Sequence, residues 1–152
     1  MRRARVLAGA AAVTALTAAA LVGAGTGTAG AATYDGQDPT ASGCASNTDT
    51  VASAPIYRTD GTQVGTMELR YSVPCGTVWA RVVSYYSTGY AYVHRSSDGA
   101  SERCGNALTW SSSLNAYSCY TPMLNDWNTM SYAYGANYTI AGWSQVAATA
   151  SY

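Results

Sequence analysis

The sequence predicts an all-β protein, a small disulfide-stapled β-sandwich or barrel built of hairpins. Short runs rich in Val, Thr, Tyr and Trp alternate with turn-forming residues, a pattern typical of sheets. No segment after the N-terminal apolar run shows the period of an amphipathic helix. Four cysteines, Cys44, Cys75, Cys104 and Cys119, form an even set that can staple such a domain.

Residues 1–31 have the order of a secretory signal peptide. Three arginines in the first five residues precede the apolar run 6–24, and Ala29-Gly30-Ala31 provides an A-x-A cleavage site. No later stretch approaches the ~20 consecutive apolar residues of a membrane span. We therefore expect a secreted, extracellular protein with no membrane attachment after cleavage; a retained anchor is the alternative.

The chain that remains after cleavage is weakly acidic. Removal of residues 1–31 takes away three of eight arginines and leaves all eight carboxylates, so the net charge changes from 0 to about −3. A nucleic-acid-binding surface normally shows a basic patch or stripe. We therefore expect no nucleic-acid partner.

The length that remains fits one domain. Residues 32–47 are rich in Gly, Pro, Asp and Ser and are predicted to form an ordered lead-in segment tied down by Cys44, followed by a single β-rich domain over 48–152. Four turn signals divide the domain into strands. They are TDGT (59–62), STG (87–89), SSDG (96–99) and YGAN (134–137).

The cysteines predict two disulfides. Zinc is the rival interpretation, but the chain has no C-x-x-C pair and only one histidine, so no metal site and no cofactor are expected. Four cysteines allow three pairings. We favour Cys44 with Cys75 and Cys104 with Cys119, because the second pair closes a local loop worth about 3 kcal/mol in the loop-entropy description.

The stretch MELRYSVPCGTVWARV, residues 67–82, predicts a hairpin. With Ser72 opposite Thr77, alternation places the apolar side chains of both strands on one face. The other face then sets Arg70 opposite Trp79 and Glu68 opposite Arg81. A guanidinium over an indole and an opposite-charge pair both stabilise a sheet, so these charges are interpreted mainly as scaffold.

Two groups of residues are nevertheless predicted as candidate binding residues. An exposed Trp79 flanked by Arg70 and Arg81 would present a binding face. Residues 120–128 are predicted to form a presented loop, because they carry apolar side chains where a solvated loop is usually polar. Its candidate binding residues are Pro122, Met123, Leu124 and Trp127. For any single ring among the thirteen tyrosines and four tryptophans, core packing is the competing interpretation, because the chain has no Phe.

Three stretches together resemble the domain-of-unknown-function family 2690. They are YDGQDPTASGC (34–44), MELRYSVPCGTVWARV (67–82) and CYTPMLND with SYAYG (119–126 and 131–135). The resemblance implies a small secreted module of actinobacteria and some firmicutes, with no established activity or active site. In other members a similar module follows a helix-turn-helix region, which this chain lacks, so a DNA-binding role does not carry over.

The residues themselves show no recognisable catalytic set, and we expect no enzyme. His94 is the only histidine, and no G-x-S-x-G nucleophile motif is present. Most carboxylates lie in turns, where short acidic side chains bond their own backbone. Asp35 and Asp38 in DGQD lack the ligand density of a calcium loop.

The sequence therefore predicts a non-catalytic recognition or adaptor module that binds another extracellular protein, in a secreted multi-protein assembly. A glycan or cell-wall binder with aromatic platforms is the first alternative. A proteinase inhibitor offering the CYTPML segment, 119–124, is the second. An enzyme is the weakest hypothesis.

Overall fold

The computed structural model describes residues 34–152, so the predicted signal peptide lies outside the described residues. These residues contain no α-helix, and one turn of 3-10 helix spans Cys44–Ser46. The strands are β1 (Asp49–Tyr57), β2 (Gln63–Ser72), β3 (Thr77–Ser84), β4 (Thr88–Arg95), β5 (Ser101–Ala107), β6 (Thr109–Ser111), β7 (Ala116–Tyr120), β8 (Leu124–Asn125), β9 (Ser131–Thr139), β10 (Gly142–Trp143) and β11 (Ala147–Ala148).

The strands form two antiparallel sheets, which confirms the predicted fold class. The first sheet has the order β1-β2-β3-β7-β6, with β8 paired to the other end of β3. The second has the order β10-β9-β4-β5, with β11 paired to β9. Their inner faces share one core. Its buried members are Ile56, Val64, Met67, Leu69, Val78, Ala80, Val82, Ala91, Val93, Leu108, Leu124, Ala133 and Ala147.

The two inner faces differ in side-chain size. The first sheet contributes Ile, Met, Leu and Val, whereas half of the inner positions of β4 and β9 are Gly or Ala and the others are Val, Ser, Thr and Asn. A Cβ on Gly135 would lie 2.1 Å from the carbonyl oxygen of Tyr90 and 2.5 Å from Cε of Met67. Only glycine therefore lets β9 pass this close to its neighbours.

Gly135 also explains why one predicted turn is wrong. YGAN, residues 134–137, lies inside β9. Its glycine is required by close packing against neighbouring residues and does not mark a chain reversal. STG is displaced in part, since the chain bends at 85–87 and Gly89 belongs to β4. The turns predicted at TDGT and SSDG separate strands as expected.

Both predicted disulfides are confirmed. Cys44–Cys75 ties the lead-in segment to the β2–β3 turn, and Cys104–Cys119 joins β5 of one sheet to β7 of the other. Such bonds are typical of extracellular or other oxidising environments. No helix within residues 34–152 is long and apolar enough to cross a membrane.

Candidate functional site

The predicted hairpin has the expected register. Ser72 pairs with Thr77, Arg70 with Trp79, and Glu68 with Arg81. Arg81 Nε donates to Glu68 Oε2 at 2.7 Å, so the predicted ion pair forms. We name the outward residues of this hairpin, Glu68, Arg70, Trp79 and Arg81, the hairpin face.

The predicted stacking of Arg70 on Trp79 is replaced by other contacts. Arg70 donates to the hydroxyl oxygens of Thr50 at 2.7 Å and Thr48 at 2.9 Å. Burial, with the neighbouring charge of Arg81, lowers the pKa of Arg70. The threonine hydroxyls thus satisfy a partly desolvated guanidinium, which is a structural role.

Trp79 is buried, which corrects its prediction as a displayed residue. Only 4% of it is exposed, and it packs with Cys44 and Met123. The lead-in segment is fixed over it by Cys44–Cys75 and by backbone hydrogen bonds between Gly36 and Met123 and between Met123 and Gln37. The chain's own lead-in segment therefore covers Trp79, whereas Glu68, Arg70 and Arg81 of the hairpin face stay partly exposed.

The predicted presented loop at 120–128 is wrong in its centre. Met123 and Leu124 are buried and Pro122 is half-buried, since the segment passes across the end of the first sheet and Leu124 pairs with Val78. The CYTPML segment is likewise not displayed as an extended loop. Trp127 is the exception, with 73% of it exposed.

Trp127 borders a groove of about 330 Å³ at the β2–β3 turn. Val73, Pro74 and Gly76 of the turn line it, together with Tyr34 and Asn125. Val73 is exposed as well. This groove is small and apolar.

Six aromatic residues lie together on the outer face of the second sheet. Alternation sends the small residues of β4 and β9 into the core and their tyrosines outward. The short β10 adds a tryptophan at the sheet edge. We name this set the aromatic face: Tyr90, Tyr92, Tyr132, Tyr134, Tyr138 and Trp143.

The rings of the aromatic face contact one another in a continuous series. Tyr92 and Tyr134, directly opposite across β4 and β9, stack with centroids 5.0 Å apart and planes 5° apart. Tyr90 lies 5.8 Å from Tyr92 and 5.5 Å from Trp143. Tyr132 contacts Tyr134, and Tyr138 contacts Trp143 edge-on. Each ring of the aromatic face therefore contacts at least one other ring, and such a pair contributes about 0.5 to 1.5 kcal/mol beyond its buried area.

The aromatic face carries one cation. Arg103 on β5 places its guanidinium carbon 5.6 Å from the centroid of Tyr92, and its Nη2 donates to Asn106 Oδ1 at 2.8 Å. Arg103 and Asn106 line a groove of about 450 Å³ together with Tyr90, Tyr92, Tyr134 and Trp143. The groove combines flat apolar rings, phenol hydroxyls and a guanidinium.

The hydroxyl of Tyr134 stays protonated at neutral pH. Burial, followed by the neighbouring phenols of Tyr92 and Tyr132, raises its pKa above the ordinary value. A neutral phenol donates and accepts hydrogen bonds. The edge of this ring therefore offers polar contacts without adding negative charge.

The aromatic face is not among the surfaces predicted from the sequence. A usable signal is the alternation in GYAYV, 89–93, and SYAYG, 131–135, where Gly, Ala, Val and Ser share one parity and tyrosines the other. When the opposing sheet supplies Met and Leu, the small residues are the ones that fit inside. The tyrosines then lie outward.

Other candidate reactive residues have structural partners. The ring of His94 packs on Tyr132 with centroids 5.1 Å apart. Asp38 and Asp60 accept hydrogen bonds from backbone N–H groups two residues on. Asp35 pairs with Arg95. Among residues 34–152, no group of three or more His, Cys, Asp or Glu is placed to hold a metal ion.

Comparisons with known proteins give a family and a relative. Residues 32–134 match the family described as protein of unknown function (DUF2690). The uncharacterized protein YjfA of Bacillus subtilis (strain 168) is 33% identical over 109 residues, covering 67% of this chain and 69% of that protein. No solved structure matches. The chain thus belongs to the domain-of-unknown-function family 2690.

Proposed function

We propose that this protein is an extracellular, non-catalytic binding module that holds a glycan on its aromatic face. The observation that carries the proposal is the continuous series of six contacting rings on one outer sheet face. Tyr138 and Trp143 are exposed, and the other four rings are half-buried against one another. Rigid amphipathic rings of this kind are enriched at recognition surfaces.

A glycan matches this surface in shape and chemistry. A pyranose ring has flat C–H faces that pack on an aromatic ring and a rim of hydroxyl groups that need hydrogen-bond partners. The tyrosine hydroxyls and the indole N–H of Trp143 supply such partners at the ring edges. Because each ring already packs against another ring, we expect binding to cost little side-chain entropy.

The length of the aromatic face favours a polysaccharide over a single sugar as the ligand. Tyr132 and Tyr138 are six residues apart on β9, which corresponds to roughly 20 Å along a strand. Several consecutive sugar units would contact the rings at once. A polysaccharide, such as a component of a cell wall, is therefore the proposed ligand.

Retention on insoluble polysaccharides and isolated bacterial cell walls tests the proposal. Trp143→Ala is expected to weaken retention of the oxidised protein about tenfold or more, as for the loss of an aromatic hot-spot contact. Trp110→Ala is the matched control, because Trp110 is 52% exposed against 51% for Trp143 but lies on the first sheet, next to Tyr117. Equal retention of both variants, or no retention of the unsubstituted protein, would contradict it.

Binding to an extracellular protein is the second candidate function. The exposed side chains of Trp127 and Val73 beside the smaller groove favour it, since an aromatic anchor next to an apolar pocket is typical of protein recognition. Trp127→Ala should then abolish capture of the partner from culture supernatant while leaving glycan retention unchanged. Capture that survives this substitution would argue against the second candidate.

A further inference from the structure

One arginine of the described chain differs from the others in its partners. Among residues 34–152, Arg58 pairs with Asp60, Arg70 and Arg81 with Glu68, and Arg95 with Asp35 and Asp98. Arg103 forms no ion pair within this part of the chain; its contacts are the Asn106 amide and the Tyr92 ring. Of the five arginines in residues 34–152, it is the one without a carboxylate partner.

The surroundings of Arg103 do not supply the missing carboxylate. None of the acidic side chains between residues 34 and 152 lines the groove that contains it. Its neighbour on β5, Glu102, projects toward the lead-in segment, where its Oε1 lies 3.5 Å from the position that a Cβ on Gly36 would occupy. The groove is therefore a local positive site in a chain whose acids outnumber its arginines once residues 1–31 are set aside.

The guanidinium of Arg103 contacts two neighbouring side chains. The Tyr92 ring lies against it, and Asn106, a non-glycine residue with a φ of 82°, accepts from Nη2. A guanidinium has five N–H donors in a planar fork that matches the two oxygens of a carboxylate or phosphate. One donor serves Asn106, and others remain for an anion in the groove.

From these contacts we propose that the glycan bound on the aromatic face is anionic, with its carboxylate or phosphate group on Arg103. The inference rests on the proposed glycan-binding function and names the ligand class. The sugar faces pack on Tyr90, Tyr92 and Trp143, and the acidic group lies at the β5 side of the groove. Uronic-acid polymers and phosphodiester-linked wall polymers are the two sources of this chemistry.

Chemically modified cell walls distinguish the two sources. Amidation with a carbodiimide and an amine neutralises carboxylates, and hydrofluoric acid removes phosphodiester-linked polymers. One of the two treatments is expected to reduce retention of the unsubstituted protein about tenfold, the loss of one charge-assisted contact. The treatment that does so identifies the anion.

Variants of Arg103 complete the experiment. Arg103→Gln should bind untreated walls about as weakly as the unsubstituted protein binds the sensitive treated walls, and it should be insensitive to the treatment. Arg103→Lys keeps the positive charge but lacks the planar pair of N–H donors, so it should retain binding in part. Unchanged retention after both treatments, with Arg103→Gln equal to the unsubstituted protein, would overturn the anionic ligand and leave the glycan proposal standing. No retention on untreated walls would instead remove both.

Discussion

The hairpin face and the aromatic face are built alike but differ in the contacts that the rest of the chain makes with them. Each projects arginine and aromatic side chains outward from neighbouring antiparallel strands. On the hairpin face, Arg81 pairs with Glu68, Arg70 bonds threonine hydroxyls, and Trp79 is covered by the lead-in segment. On the aromatic face, Tyr138 and Trp143 are half exposed and Arg103 has no acidic partner within residues 34–152.

The difference teaches that residue type alone does not define a binding surface. Arginine beside tryptophan stabilises a sheet when the chain supplies a carboxylate, a hydroxyl or a covering segment. We propose that the same residue types bind a ligand on the aromatic face, where Arg103 has no such partner among residues 34–152. Substitutions at matched positions of the two faces should therefore separate stability from binding.

The largest expected effect is on stability at Trp79. Trp79→Ala removes a side chain that is 4% exposed and should lower the free energy of unfolding by about 3 to 5 kcal/mol. Trp143→Ala should cost only about 1 kcal/mol, the order of its ring contacts with Tyr90 and Tyr138. Urea unfolding of both variants measures this. A smaller loss at Trp79 than at Trp143 would reverse the roles assigned to the two faces.

The next effect concerns the Cys44–Cys75 disulfide, which holds the lead-in segment over Trp79. Cys44→Ala with Cys75→Ala opens a disulfide of sequence separation 31 and should cost about 3 to 4 kcal/mol. The Gly36 amide, which donates to the Met123 carbonyl, should then exchange its hydrogen faster. The control is Cys104→Ala with Cys119→Ala, which should destabilise the protein without selectively exposing that amide. Equal hydrogen exchange of the Gly36 amide in both variants would show that the Cys44–Cys75 disulfide does not hold the lead-in segment in place.

A smaller effect is expected where Arg95 anchors the lead-in segment. Its guanidinium contacts Asp35 at 2.9 Å and Asp98 at 2.7 Å, and it also donates to the Asn125 carbonyl. Arg95→Met should lower the Tm by roughly 5 °C. Arg58→Met is the control, since it breaks one local pair with Asp60 and should shift the Tm by less than about 2 °C. Similar shifts in thermal unfolding would deny Arg95 this anchoring role.

The smallest effect is a pH dependence of the same anchor. Hydrogen bonding to Arg95 lowers the pKa of Asp35, and it lowers the pKa of Asp98 to about 2. Because both folded-state pKa values lie below the unfolded value of 3.8, their stabilisation is present above that value and is lost as the pH falls toward 2.

Asp126 acts in the opposite direction. Burial raises its pKa, so its contribution to stability is present at low pH and is lost as the pH rises through its folded-state pKa. Thermal unfolding between pH 2 and 5 should show the Tm falling with acid in the unsubstituted protein and falling less in Arg95→Met. An identical pH slope in the two proteins would mean that other groups control it.

The fold was largely predictable because its signals are local. Strand alternation fixed the register of residues 67–82, and loop closure favoured the observed cysteine pairing. The fate of Trp79 and Met123 depends on which distant segment lies over them, and no local pattern contains that information. In the sequence Gly135 resembles a turn residue. In the structure its missing side chain leaves room for Met67 and Tyr90, which are distant along the chain.

The most direct test of the division between the two faces is an amide chemical-shift map of the isotope-labelled, oxidised protein titrated with a soluble wall glycan. The largest changes should fall on β4, β9 and β10, around Tyr90, Tyr134 and Trp143, with little change on β2 and β3. Changes concentrated near Trp79 or Trp127, with none on β4 and β9, would contradict the assignment of the aromatic face as the binding surface.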